Sequence, residues 1–60
     1  MIAFRLQYYY RNRYMSEWEI ATHHFYALSQ KAAIQKAIRK MKKKAGNKGA
    51  FKSKSLHAKP

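Results

Sequence analysis

The sequence predicts an α+β fold: a small ββα unit, an antiparallel hairpin packed on one C-terminal helix, followed by a basic flexible tail. Three observations predict it. Residues 2–11 alternate apolar and polar side chains with period two. A second stretch, from about Glu17 to Ala27, is again rich in strand-forming residues. Residues 34–45 instead repeat their apolar side chains at helical spacing. The chain therefore divides into a folded unit over 1–45 and a tail over 46–60.

In the first segment Ile2, Phe4, Leu6, Tyr8 and Tyr10 alternate with Ala3, Arg5, Gln7, Tyr9 and Arg11. This reads as a half-buried strand whose aromatic rings suit a pleated surface. Arg11-Asn12-Arg13 breaks the alternation, and Asn12 is the good turn former there. In the second segment Trp18 and Ile20 share one face, and Glu17, Glu19 and Ala21 the other. Trp18 and Ile20 are expected to join Phe4, Leu6 and Tyr8 in the core. Truncating Trp18 to alanine would then cost about 3–5 kcal/mol. Past His23-His24, either a bulge returns Phe25 to the Trp18 face or Tyr26 carries it; the reading favours Tyr26 inside and Phe25 outside.

Ser29 is a good N-cap, because its hydroxyl can accept a bond from an orphan N–H of the first turn. Leu28 is placed to pack on Ala33 as a weak staple. Ile34, Ala37, Ile38, Met41 and Ala45 then fall within an arc of about 100° and form the expected lid on the hairpin. Gly46 supplies the stop, and Lys42, Lys43 and Lys44 complement the helix dipole in the last turn. Beyond it only Ala50, Phe51, Leu56 and Ala58 are apolar, which predicts a tail that does not fold by itself. A hairpin with two bare edges would gain from pairing with a second copy, so a homodimer through the sheet edge is one expectation.

Sixty residues make a marginal core, and the absence of cysteine excludes disulfides and thiolate metal sites as its staple. The formal charge is +12, unevenly spread. Residues 1–28 carry a net +1, whereas residues 29–60 carry eleven basic residues and no acid. Such asymmetry is the footprint of a polyanionic partner. No stretch is long and apolar enough to span a membrane, and Arg5 interrupts the opening apolar run that a signal peptide would need. A cytoplasmic protein is expected (the host cytoplasm, if phage-encoded), with no membrane partner and no cofactor.

The candidate binding residues are those that neutralise phosphate. On the helix these are Lys31, Lys36, Arg39, Lys40, Lys43 and Lys44, which repel one another with no interleaved acid. In the hairpin they are Arg5, Arg11 and Arg13, interspersed with Tyr8, Tyr9, Tyr10 and Tyr14, a mixture able to stack on unpaired bases. Alternate tyrosines, Tyr8 and Tyr10, belong to the core face, which leaves Tyr9 with Arg5 and Arg11 outside. The tail adds Lys48, Lys52 and Lys54. Adjacent histidines on a strand point to opposite faces, so His23 and His24 do not chelate one metal. Nothing in the chain combines a nucleophile, a base and an orienting partner, so an enzyme is not expected.

Trp18-Glu19-Ile20 followed by Ala32-Ala33-Ile34 near a helix start resembles DNA-binding domains that set a helix behind a small sheet. The plant ethylene-response domains and the arm-binding domains of phage integrases are examples. Both use three strands, where the sequence offers two, so no binding residue carries over. The short Lys-rich ββα pattern is also similar to small phage proteins that act on host machinery. The function expected is a nucleic-acid-binding accessory protein, for DNA or RNA, acting by phosphate neutralisation. The alternatives are a phage-type regulator bound to an acidic surface of a host protein, and a ribosome-associated peptide.

Overall fold

The strand Ile2–Arg11 (β1) forms as the alternation predicts, and it occupies the middle of a three-stranded sheet. Glu19–Ala27 (β2) pairs with it on one side and Ala50–Ala58 (β3) on the other, both antiparallel. The helix Gln30–Ala45 (α1) connects β2 to β3. β2 and β3 thus run parallel with β1 between them, so α1 is the crossover of a split βαβ unit. The computed structural model describes residues 1–59; Pro60, the last residue of the expected tail, lies outside them.

Two expectations are corrected here. The helix is not C-terminal but lies between strands, and most of the segment read as a flexible tail is β3. The reason is visible in the register. Gln7 pairs with Ser55 and Tyr8 with Ser53, which leaves Lys54 as the extra residue of a bulge. Phe51 therefore lies opposite Tyr10, while Leu56 lies opposite Leu6. The bulge brings odd-numbered apolar residues before it and even-numbered ones after it to the same face. A strict period of two does not detect such a strand.

α1 begins and ends where its caps predict. Ser29 Oγ accepts from the Ala32 N–H at 3.2 Å, and the Gly46 N–H donates to the Lys42 carbonyl at 2.9 Å. Gly46 has φ 76° and ψ −174°, a combination that is essentially restricted to glycine. Gly49 serves a different purpose, because a Cβ there would lie 2.1 Å from the Ala45 carbonyl oxygen. The chain passes that close to the helix end in order to enter β3. Leu28 forms no staple, since it is exposed while Ala33 is buried.

The core lies between α1 and one sheet face. Phe4, Leu6 and Tyr8 of β1 and Phe25 and Ala27 of β2 meet Ala33, Ala37, Met41 and Ala45 of α1. Phe4 and Phe25 stack with their centroids 6.0 Å apart. The buried helical residues recur every fourth position and three of the four are alanine, so the helix can approach the sheet closely. Ile34 and Ile38 stand on the flank of this line, 46% and 40% exposed, rather than in it.

The face assignment of β2 is the larger correction. Trp18 and Ile20 are 41% and 51% exposed, and Tyr26 is 62% exposed, whereas Phe25 is buried. No bulge intervenes in β2; its whole phase is the reverse of the expected one. Phe4 pairs with Phe25 and Tyr8 with Ala21, so the odd-numbered residues of β2 share the core face with the even-numbered residues of β1. An indole has no room beneath a helix seated on alanines.

Tyr8 is fully buried, and its hydroxyl meets His23 Nε2 at 2.8 Å, the partner a buried phenol requires. The rings stack at 5.5 Å. Burial holds the His23 pKa below its ordinary value, with Lys40, Lys44 and His24 adding repulsion, and burial likewise raises that of Tyr8. Below about pH 6.5 the unfolded chain protonates His23 while the folded one resists. Stability should therefore be complete at neutral pH and fall as the pH drops through that value towards the folded pKa. Thermal midpoints measured from about pH 8 to 5 should decline on the acid side, and His23→Gln should flatten the decline. Equal slopes in the two proteins would remove His23 as the cause.

Candidate nucleic-acid interface

α1 covers one face of the sheet and leaves the other open. Directly paired residues on antiparallel strands project to the same side, so the register reads out the open face row by row. Ala3 of β1 stands beside Tyr26 of β2. Arg5 lies between His24 and His57, and Gln7 between Thr22 and Ser55. Tyr9 lies between Ile20 and Lys52. Arg11, paired with Ala50, closes the face beside Trp18, which continues the even-numbered phase of β2 past its start.

Aromatic rings and cations are in contact at this end of the face. Lys52 Nζ lies 5.0 Å from the centroid of Trp18 and 5.6 Å from that of Tyr9. The Arg11 guanidinium carbon lies 5.7 Å from the Trp18 ring. Such contacts hold the rings on the surface with cations beside them. At the other end Arg5, His24, His57, Ala58 and Lys59 line a shallow depression of about 480 Å³. Glu19 belongs to the opposite, helix-side phase of β2, where its carboxylate accepts from the Tyr10 hydroxyl at 3.4 Å. Glu17, the chain's one other acid, lies in the β1–β2 turn.

The predicted binding residues do not form one surface. Arg5, Arg11 and Lys52 share the open face, Arg11 and Lys52 at its Trp18 end and Arg5 towards the other. Lys31, Arg39 and Lys43 are exposed on α1, on the opposite side of the molecule, and Lys36, Lys40 and Lys44 lean over the β2 side of the sheet. Lys36 Nζ donates to the Tyr26 carbonyl at 2.7 Å, Lys40 lies 5.7 Å from the Phe25 centroid, and Lys44 5.2 Å from that of Tyr10. Arg13 sits in the β1–β2 turn with its guanidinium 4.8 Å from the Tyr14 centroid. Lys48 lies in the α1–β3 connection and Lys54 at the bulge.

Sequence reasoning placed Tyr9, Arg5 and Arg11 outside, as found, but missed Trp18, His24 and His57 as neighbours of those residues. His24 was separable from His23 by strand parity. His57 carried no usable signal until its strand was known. His23 and His24 do face opposite sides, one lining a depression with Lys40 and Lys44 and the other the Arg5 depression. Among the described residues no group of three or more His, Asp or Glu side chains is placed to hold a metal, and no helix is long and apolar enough to cross a membrane. Comparison with protein families, with characterised proteins and with solved structures finds no match.

Proposed function

We propose that this protein binds single-stranded nucleic acid across the open face of its sheet. The observation that carries the reading is the grouping of Tyr9 and Trp18 with Arg11 and Lys52, and Arg5 further along the same face, on the side that α1 leaves uncovered. The exposed Trp18 ring and the half-buried Tyr9 ring offer stacking surfaces to unpaired bases, and neighbouring cations follow the phosphates. Bases inside a duplex cannot reach such rings without unpairing. The lysines of α1, on the far side, add long-range attraction without base contact.

Trp18 is the chain's single tryptophan, so its fluorescence reports the face directly. Titration with a single-stranded oligonucleotide should quench it. A duplex of the same sequence should bind more weakly and quench less. Three to four neutralised phosphates give an expected log–log salt slope of about −2 to −3 on single strands. Equal affinity for single and double strands with unchanged Trp18 emission would overturn the reading and move binding to the helix.

A further inference from the structure

The end of the open face away from Trp18 holds a second grouping with a different chemistry. Arg5 pairs with His24 on one side and with His57 on the other, so three nitrogen-bearing side chains form one row across all three strands. All three are exposed and line the same depression, with Lys59 beside them. The outer two backbones lie about 9.6 Å apart, two strand spacings, with Arg5 at the centre. A phosphate seated on the Arg5 guanidinium therefore lies within reach of an imidazole from either side.

We infer that Arg5, His24 and His57 form a clamp for one internal phosphodiester of the bound strand, and that the clamp tightens as the two histidines protonate. The inference rests on the proposed single-strand reading and specifies one subsite within it. Arg5 supplies a permanent planar fork suited to two phosphate oxygens. Each imidazole supplies one N–H when neutral and a charge-assisted N–H when protonated, which is the stronger bond. Histidine is the side chain whose ordinary titration range lies near neutrality, whereas a phosphodiester keeps its single charge throughout. The pH response therefore belongs to the protein and not to the ligand.

The other groups on this part of the face are Ala3 and Gln7 from β1, Thr22 and Tyr26 from β2, Ser55 from β3, and Lys59 just beyond β3. Arg5 and Lys59 are the fixed charges among them. Both are positive and favour an anion. A bound phosphate favours the protonated imidazoles, so binding and proton uptake are linked and each favours the other. No helix packs over this face, and His23, on the opposite side of β2, contributes through the stability of the fold rather than at the clamp.

The test is anisotropy of a fluorescently labelled oligothymidylate without a terminal phosphate, measured between about pH 7.5 and 6.0 at constant ionic strength. Circular dichroism at each pH verifies that the protein is folded. Affinity for the native chain should rise about ten-fold over that interval. The double variant His24→Gln/His57→Gln should bind at the upper pH and show no rise, and either single variant should show a partial one. Arg5→Gln should weaken binding at every pH. Intact binding with the same pH dependence in native and double-variant proteins would overturn the clamp while leaving the sheet-face reading in place. Absence of binding at every pH would overturn both.

Discussion

A chain ending at Gly46 should show no cooperative thermal transition. The truncation removes β3, which pairs with β1 from Phe4 to Arg11, and makes the central strand of the sheet an edge. It also removes Phe51 and Leu56, which pack against the core beside Tyr10 and Leu6. What remains is a two-stranded hairpin under one helix, an arrangement at the limit of independent stability. A single core in a chain this short supplies about 3–5 kcal/mol. Exposing one whole edge of β1 and part of its apolar cover should exceed that. Circular dichroism melts of the native and truncated chains measure the difference. A truncated chain with its helical signal and midpoint unchanged would show that β3 is an accessory strand, and would restore the expectation of a detachable tail.

Trp18→Ala should separate binding from folding. The indole is 41% exposed and lies on the open face, so its removal leaves no cavity beneath α1. The thermal midpoint should change little. Affinity for a single strand should fall by the worth of one stacked base, about 1–3 kcal/mol, or roughly 5- to 150-fold. Phe25→Ala, seven residues further along, provides the contrast. Phe25 is buried against Phe4, and its truncation should cost about 3–5 kcal/mol, enough to unfold the chain. Anisotropy of a labelled oligonucleotide reads the first effect and thermal denaturation the second. If Trp18→Ala unfolds the protein as Phe25→Ala does, then Trp18 belongs to the core and the open-face reading fails with it.

These two predictions reverse what the sequence alone suggested, and the reversals share a cause. Trp18 and Ile20, which share one face at the start of the second segment, look like core residues. In a strand, however, a one-residue change of register moves every side chain to the other face. The seven residues between Arg11 and Glu19 carry no turn signature that fixes the register. The choice is made instead by packing between elements distant in sequence. A helix whose inner line is Ala33, Ala37, Met41 and Ala45 sits close to the sheet, and Phe25 with the small residues Ala21 and Ala27 suits that gap where Trp18 does not.

The sequence by itself determined the features that depend on near neighbours. The alternation of β1, the caps at Ser29 and Gly46, the opposed faces of His23 and His24, and the outward placement of Arg5, Tyr9 and Arg11 were all legible, because each follows from a local period or a local hydrogen bond. The concentration of positive charge after Leu28 was legible in the same way. Tertiary structure alone decided three things: which face of β2 is buried, that residues 50–58 form a strand, and that His24 and His57 flank Arg5. The bulge at Lys54 erases the period of β3, and the apolar residues on either side of it become one face only when Leu6 and Tyr8 lie opposite. Arg5 and His57 are brought together by pairing across most of the length of the chain, a contact that no local pattern encodes.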